Sequence, residues 1–295
     1  MTSFSALAGA LAISFSAILF GLSGVDPITG AFFRVAYALP VLIVIWLTVR
    51  HRDRRSRKMR LLALASGILL GVDMVVWHTS IGHIGAGLAT LIANSQVVFV
   101  AVGAWLILGE RPSRRIIVAI PVVLIGVAMV SGLGRSDAYG SNPLLGTLLA
   151  LVAAMFYASF ILVFRASNKI QAPPAGPLME ATAGGVVMVL ILSTVTGGIE
   201  FAPTWPAHGW LIALALGAQV VGWLAIGYAL PRLPAVETAT IILVQPVLTM
   251  IWASLVFDER PSTVQLVGAA LVLAGVGFVA IARARLAPEP TPTTV

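Results

Sequence analysis

Asp73, Trp77 and His78 fall inside one apolar run, where an ionisable group has no bulk water to solvate it. Trp77 follows Asp73 by four residues, so on a helix the two share a face. A carboxylate and a ring on one face can hold the ammonium and the apolar part of a small solute, or the carboxylate can carry a proton. A carboxylate bonded to a neighbouring helix is the structural alternative, and His78 is either a further polar contact or a satisfied packing residue. Gln219 and Trp223 repeat the four-residue spacing, and with Tyr157 and Trp77 they supply an aromatic wall that has polar handles. Asn94 and Gln245 are amides within two other apolar runs. Pro246 beside Gln245 frees a backbone carbonyl that can line a cavity, and Thr249 shares the face of Gln245. On a regular helix Asn94 and Gln96 point about 200° apart, so at most one of them reaches a shared cavity. For Gln96, gluing one helix to the next outweighs contact with a solute.

Other charges have more structural readings. Arg34 and Glu180 are single charges in apolar runs, suited to buried ion pairs, although Arg34 could also neutralise a carboxylate. Glu110 and Glu259 stand at helix corners, to lock them or to pair with the arginines that follow. No Gly-rich loop ending in Lys-Ser/Thr is present, so direct use of ATP is unsupported. No His, Asp and Glu cluster has metal-ligand spacing, and no paired acidic motif suggests a membrane-embedded transferase. The cysteine count is zero, which excludes disulfides and thiolate sites. No cofactor is expected.

The elements that must position these groups follow from composition. Apolar residues make up 59% of the 295 residues and charged residues 10%, against about 25% charged in a soluble domain. Too few polar groups exist to cover a water-exposed surface, so lipid is the solvent. Ten runs approach the roughly 20 residues a spanning helix needs: 4–24, 27–49, 60–81, 84–108, 115–133, 144–166, 175–198, 208–230, 234–257 and 264–283. The tail 286–295 is Pro/Thr-rich and expected to be disordered. A cleaved signal peptide is not expected, because no basic residue precedes Arg34.

The net charge of +7 would suggest nucleic acid in a soluble protein; here the basic residues report orientation instead. With the stretch at 50–60 in the cytoplasm, fifteen of the eighteen Lys and Arg fall at cytoplasmic ends, Arg135 and Arg260 fall outside, and Arg34 lies within a span. Both termini are then cytoplasmic.

Residues 86–130 align without gaps onto 235–279, with sixteen of 45 positions identical. The anchor is Glu110-Arg111-Pro112-Ser113 against Glu259-Arg260-Pro261-Ser262, and Gln96 matches Gln245. Apolar bias matches Ala, Val and Leu by chance but does not produce a shared ERPS at a helix junction. Two five-helix halves result, over 1–133 and 144–285. Five is odd, so the second half enters the membrane inverted. Inverted repeats let two halves exchange conformations and so open a cavity to alternate sides.

The stretches Gly85 to Asn94 and Trp105 to Pro112, with their counterparts Pro234 to Thr240 and Leu255 to Pro261, resemble the repeat of EamA-type transporters in the drug/metabolite transporter superfamily. Gly109-Glu110-Arg111 and the later Gly126-Val127 and Gly275-Val276 match that pattern, and Arg34 sits where the family often has an arginine. One departure is Val97, where the family's mid-helix proline is present only in the second half, as Pro246; the halves are expected to bend differently. The resemblance implies an all-α integral membrane protein of ten helices around a central cavity. It further implies a multi-pass protein of the cytoplasmic membrane of a prokaryote, and a secondary transporter that exports or exchanges amino acids or related metabolites. The expected partners are a small-molecule substrate, membrane lipid and protons as a coupling ion, and not nucleic acid. The rivals are an integral membrane enzyme acting on a lipid-soluble substrate and a structural membrane subunit.

Overall fold

The computed structural model describes residues 2–108, 114–168, 173–202, 204–229 and 235–284. The first ERPS copy and the tail 286–295 lie outside the described residues. Only helices, turns and loops occur among those described.

Two short helices, α1 (Thr2–Ser14) and α2 (Ser16–Ser23), form the first rod. Gly24, at φ 64°, closes it, and Pro27 opens α3 (Pro27–Val49) at a position whose N–H would be unpaired in any case. Ser56 caps α4 (Arg57–Ile84) by accepting the N–H of Met59 at 3.3 Å. Gly85 then separates α4 from α5 (Ala86–Ala93), which continues through a short break into α6 (Gln96–Leu108). Next come α7 (Arg114–Val130), α8 (Pro143–Ser167) and α9 (Ala175–Ser193). The following rod joins α10 (Ala207–Ala213), a π-helical segment at Leu214–Gly222 and α11 (Trp223–Ala229), and α12 (Ala235–Phe257) and α13 (Thr263–Ala284) complete the order.

Seven of these segments are long and apolar enough to cross a bilayer, and the apolar stretches Ile116–Val130, Leu243–Phe257 and Thr263–Val279 are shorter. Leu47, Leu61, Ile117, Leu124, Val221 and Leu255 are exposed on the outside of the bundle. Such an apolar surface suits contact with lipid.

The expected spans hold in position but not in continuity. Span 4–24 is interrupted at Phe15 and span 84–108 at Asn94-Ser95. Span 208–230 carries the π segment, and α4 starts earlier than expected, taking up the basic residues Arg57, Lys58 and Arg60. The break at 94–95 has a local cause. Asn94 turns its side-chain amide back to the carbonyl of Thr90 at 2.8 Å, and the next amides bond three residues back rather than four. The proline-bearing α12 stays unbroken.

Helices approach closely where glycine permits. A methyl on Gly67 would overlap the carbonyl of Ala181, and one on Gly184 the carbonyl of Leu64, so α4 and α9 touch backbone to backbone. Gly126 of α7 and Gly268 of α13 meet in the same way.

Arg55, expected only to report orientation, is buried. Its guanidinium bonds both oxygens of Asp53 at 3.0 and 2.8 Å and reaches Glu180 of α9 at 2.8 Å. Burial pushes the Asp53 carboxyl up, but the hydrogen bonds and charge of Arg55, aided by Arg60, outweigh it and hold the carboxyl below its usual range. Glu259 locks a corner, as expected, but through α5: its oxygens accept the N–H groups of Ala86 at 2.6 Å and Gly87 at 3.1 Å. Its sequence neighbour Arg260 pairs with Asp258 instead. Ser262 and Gln265 form a reciprocal cap at the start of α13.

Candidate functional site

A cavity of about 70 Å³ lies among α1 to α6, α8, α11 and α12. A single water needs about 10–15 Å³ of such space, so the cavity holds about five to seven waters or the polar end of a small solute. Six of the eight candidate residues line it: Asp73, Trp77, Asn94, Tyr157, Trp223 and Gln245. Asp73 and Trp77 come from one face of α4, as their spacing requires. Tyr157 of α8 and Trp223 of α11 meet with ring centroids 6.2 Å apart and form one wall.

The other two candidates do not line it. The His78 ring stacks on Phe20 at 3.9 Å, and its Nδ1 lies 3.3 Å from the carbonyl oxygen of Pro27. Gln219 is fully buried; its Oε1 accepts from Arg34 Nε at 3.2 Å, and its Nε2 donates to Thr182 at 3.4 Å.

Four further polar residues line the cavity: Ser16, Arg34, Thr90 and Gln96. Arg34 was expected in an ion pair, but its hydrogen bonds go to Gln219 and to Ser16 Oγ at 2.9 Å. Gln96 lines the cavity together with Asn94. The rule that at most one of these two reaches it fails because the helix breaks between them, and the rotation of a regular helix no longer applies. The available signal was the repeat, since Gln96 and Gln245 occupy matched positions and both reach the same space.

The lining carries unused hydrogen-bonding capacity. Trp77 Nε1, Thr90 Oγ1 and Gln96 Oε1 are buried without a hydrogen-bond partner among the described residues. Buried polar atoms are normally satisfied, so several orphans around one space mark a place where a polar solute or water completes the network. A larger cavity of about 290 Å³ sits at one end of the bundle, between Gly82, Tyr139, Phe257 and Glu259. It holds none of the candidate residues.

The profile of the EamA-like transporter family matches residues 2–132 and 144–281. A protein of Streptantibioticus cattleyicolor described as a "Probable terminal-alkyne amino-acid exporter" is 28% identical over 90% of this chain and 88% of its own. An uncharacterized transporter of Clostridium kluyveri is 26% identical over 79% of this chain and 78% of its own. One from Archaeoglobus fulgidus is 24% identical over 89% and 91%. A solved crystal structure superposes with a TM-score of 0.64 over 97% of this chain and 98% of its own at 17% identity, which shows a shared fold.

Proposed function

The chain belongs to the EamA-like transporter family, and from that premise we propose that it is a secondary transporter exporting or exchanging small organic metabolites, amino acids or close analogues, by alternating access. It is a multi-pass membrane transporter and not an enzyme. The observation that carries the finer reading is the central cavity, where Asp73 and orphaned polar atoms of Trp77, Thr90 and Gln96 stand beside the Tyr157–Trp223 wall. A carboxylate meets an ammonium, rings hold an apolar side chain, and the amides of Asn94, Gln96 and Gln245 add hydrogen bonds.

Ten crossings in two inverted halves, 1–133 and 144–285, fit the seven long segments and the three shorter apolar stretches. The excess of basic residues at the ends assigned to the cytoplasm supports both termini inside, in a prokaryotic cytoplasmic membrane. Asp73 is the proposed proton carrier where flux is coupled to a pH gradient.

The test is flux of a labelled amino-acid panel in proteoliposomes, with and without a pH gradient. Asp73→Asn keeps the shape and a hydrogen-bonding amide but loses a charge-assisted contact, so flux of amine-bearing solutes should fall by roughly tenfold or more. Counterflow exchange surviving while pH-driven flux fails assigns the proton to Asp73. Wild-type flux in both assays removes Asp73 from the mechanism.

A further inference from the structure

We infer that Arg34 is the carboxylate-binding group of the central cavity, held in position by Gln219 and Ser16, and that it selects solutes carrying a free carboxylate beside their amine. The inference rests on the amino-acid reading above and adds a second charged anchor to it.

Arg34 lines the cavity while its side chain is buried within the bundle. A guanidinium has five N–H donors. Nε is spent on Gln219 and one Nη1 donor on Ser16. Three donors remain, one on Nη1 and two on Nη2, enough for a carboxylate to accept two bonds from the group. Among the described residues no carboxylate comes within 4.0 Å of this guanidinium. Asp73 lines the same cavity, yet the two make no ion pair. A purely structural buried pair would close the gap, because separated charges forgo most of the attraction that offsets their desolvation. Here the cation and the anion share a polar space without touching. An α-amino acid presents the complementary charges, its carboxylate to Arg34 and its ammonium to Asp73.

The supports of Arg34 are fixed from behind. Gln219 donates to Thr182, which sets its amide so that Oε1 faces Arg34. Gln219 belongs to the π segment, and Ser16 is the first residue after the interruption at Phe15. The Trp77 ring lies 5.8 Å from the guanidinium carbon and restrains the group further. These two hydrogen bonds leave both Nη2 donors unused among the described residues.

The test compares three forms of one side chain in proteoliposomes: valine, leucine and phenylalanine, each with its carboxamide and its decarboxylated amine. Wild type should transport the acids at least tenfold better than the matching amides and amines. Arg34→Gln should lower that ratio tenfold or more. Because the ratio is taken within one preparation, it does not depend on the yield of folded protein. Gln219→Glu places a competing carboxylate against Arg34 and should raise KM for the acids more than for the amines. A positioning role predicts that split, whereas a merely structural role predicts equal loss. Wild type that does not distinguish acid from amine overturns the inference even if neither variant folds. An unchanged ratio in Arg34→Gln overturns it as well, while leaving a transporter of amines in place. No flux of any compound overturns the amino-acid reading and this inference with it.

Discussion

Replacing Arg55 by alanine should destabilise the protein far more than replacing Arg57 by alanine, although each change removes one positive charge from the same stretch. The Arg55 side chain is 0% exposed, Asp53 is 1% and Glu180 is 11%. Without the guanidinium, two carboxylates face each other in a desolvated pocket, with only Arg60 at 3.8 Å from Asp53 as partial compensation. Breaking a buried pair by removing one partner costs about 3–5 kcal/mol. Arg57 is exposed on the first turn of α4, and such a surface change stays within about 0.5 kcal/mol. At roughly 2 °C per kcal/mol for a chain of this size, Arg55→Ala should unfold about 6–10 °C lower. The assay is thermal unfolding in detergent micelles, read by the fluorescence of the seven tryptophans. Removing Glu180 as well, in Arg55→Ala/Glu180→Ala, should recover part of the loss, because one stranded carboxylate is gone. Equal unfolding temperatures for Arg55→Ala and Arg57→Ala would refute the buried triad and leave the stretch as an orientation signal alone.

Three further outcomes follow. Asp53 has its carboxyl held below the usual range, so its contribution is complete above the unfolded value near pH 4 and is lost as pH falls through the lower folded value; unfolding temperature should drop below about pH 4 in wild type and flatten in Asp53→Asn, and an identical profile in both refutes the linkage. Gly85 has φ 83°, and a Cβ there would lie 2.6 Å from the Glu259 carboxylate, so Gly85→Ala combines strain with a displaced cap and should cost about 2–3 kcal/mol in an unfolding titration. Finally, single cysteines at the exposed positions Arg54 and Thr263 should differ in intact cells, with an impermeant thiol reagent labelling the second only; equal labelling would sink the proposed topology.

Much of this was legible because lipid imposes a simple code. Apolar runs of the right length located the rods, and the structure shows Gly24, Pro27, Asn142 and Pro143 at their ends. The four-residue spacing of Asp73 and Trp77 correctly put them on one face. Spacing failed where tertiary contacts overrule the regular helix. His78 follows Trp77 directly, yet that single step turns its ring onto Phe20. Gln219 has the same spacing to Trp223 as Asp73 has to Trp77, but the π segment carries an altered turn and Gln219 ends behind Arg34 rather than on the cavity wall. Arg55 was hidden by its company, since one buried cation among exposed ones looks the same in sequence. The Ser262-to-Gln265 cap was readable in principle as Ser followed three residues later by Gln.

Three irregularities of the backbone converge on one place, and this convergence bears on how the cavity works. The interruption at Phe15 precedes Ser16, the break at Asn94-Ser95 precedes Gln96, and the π segment ends just before Trp223; all these neighbours line the cavity. At membrane depth a broken ladder of backbone hydrogen bonds is tolerated only where other polar groups complete it. Thr249 of α12 does so at the first break, donating to the carbonyl of Ser14 at 2.8 Å, and Trp252 donates to the Ser14 hydroxyl at 3.2 Å. α12 thereby pins the interruption in the first rod, beside the serine that holds Arg34. Straight helices would have closed this space with apolar contacts. Interrupted ones leave it polar and adjustable, and tie its shape to the packing between the halves. A rearrangement of α12 against α1 and α2 would therefore alter the seat of Ser16, the kind of link that the proposed alternating access needs between α12 and a solute in the cavity.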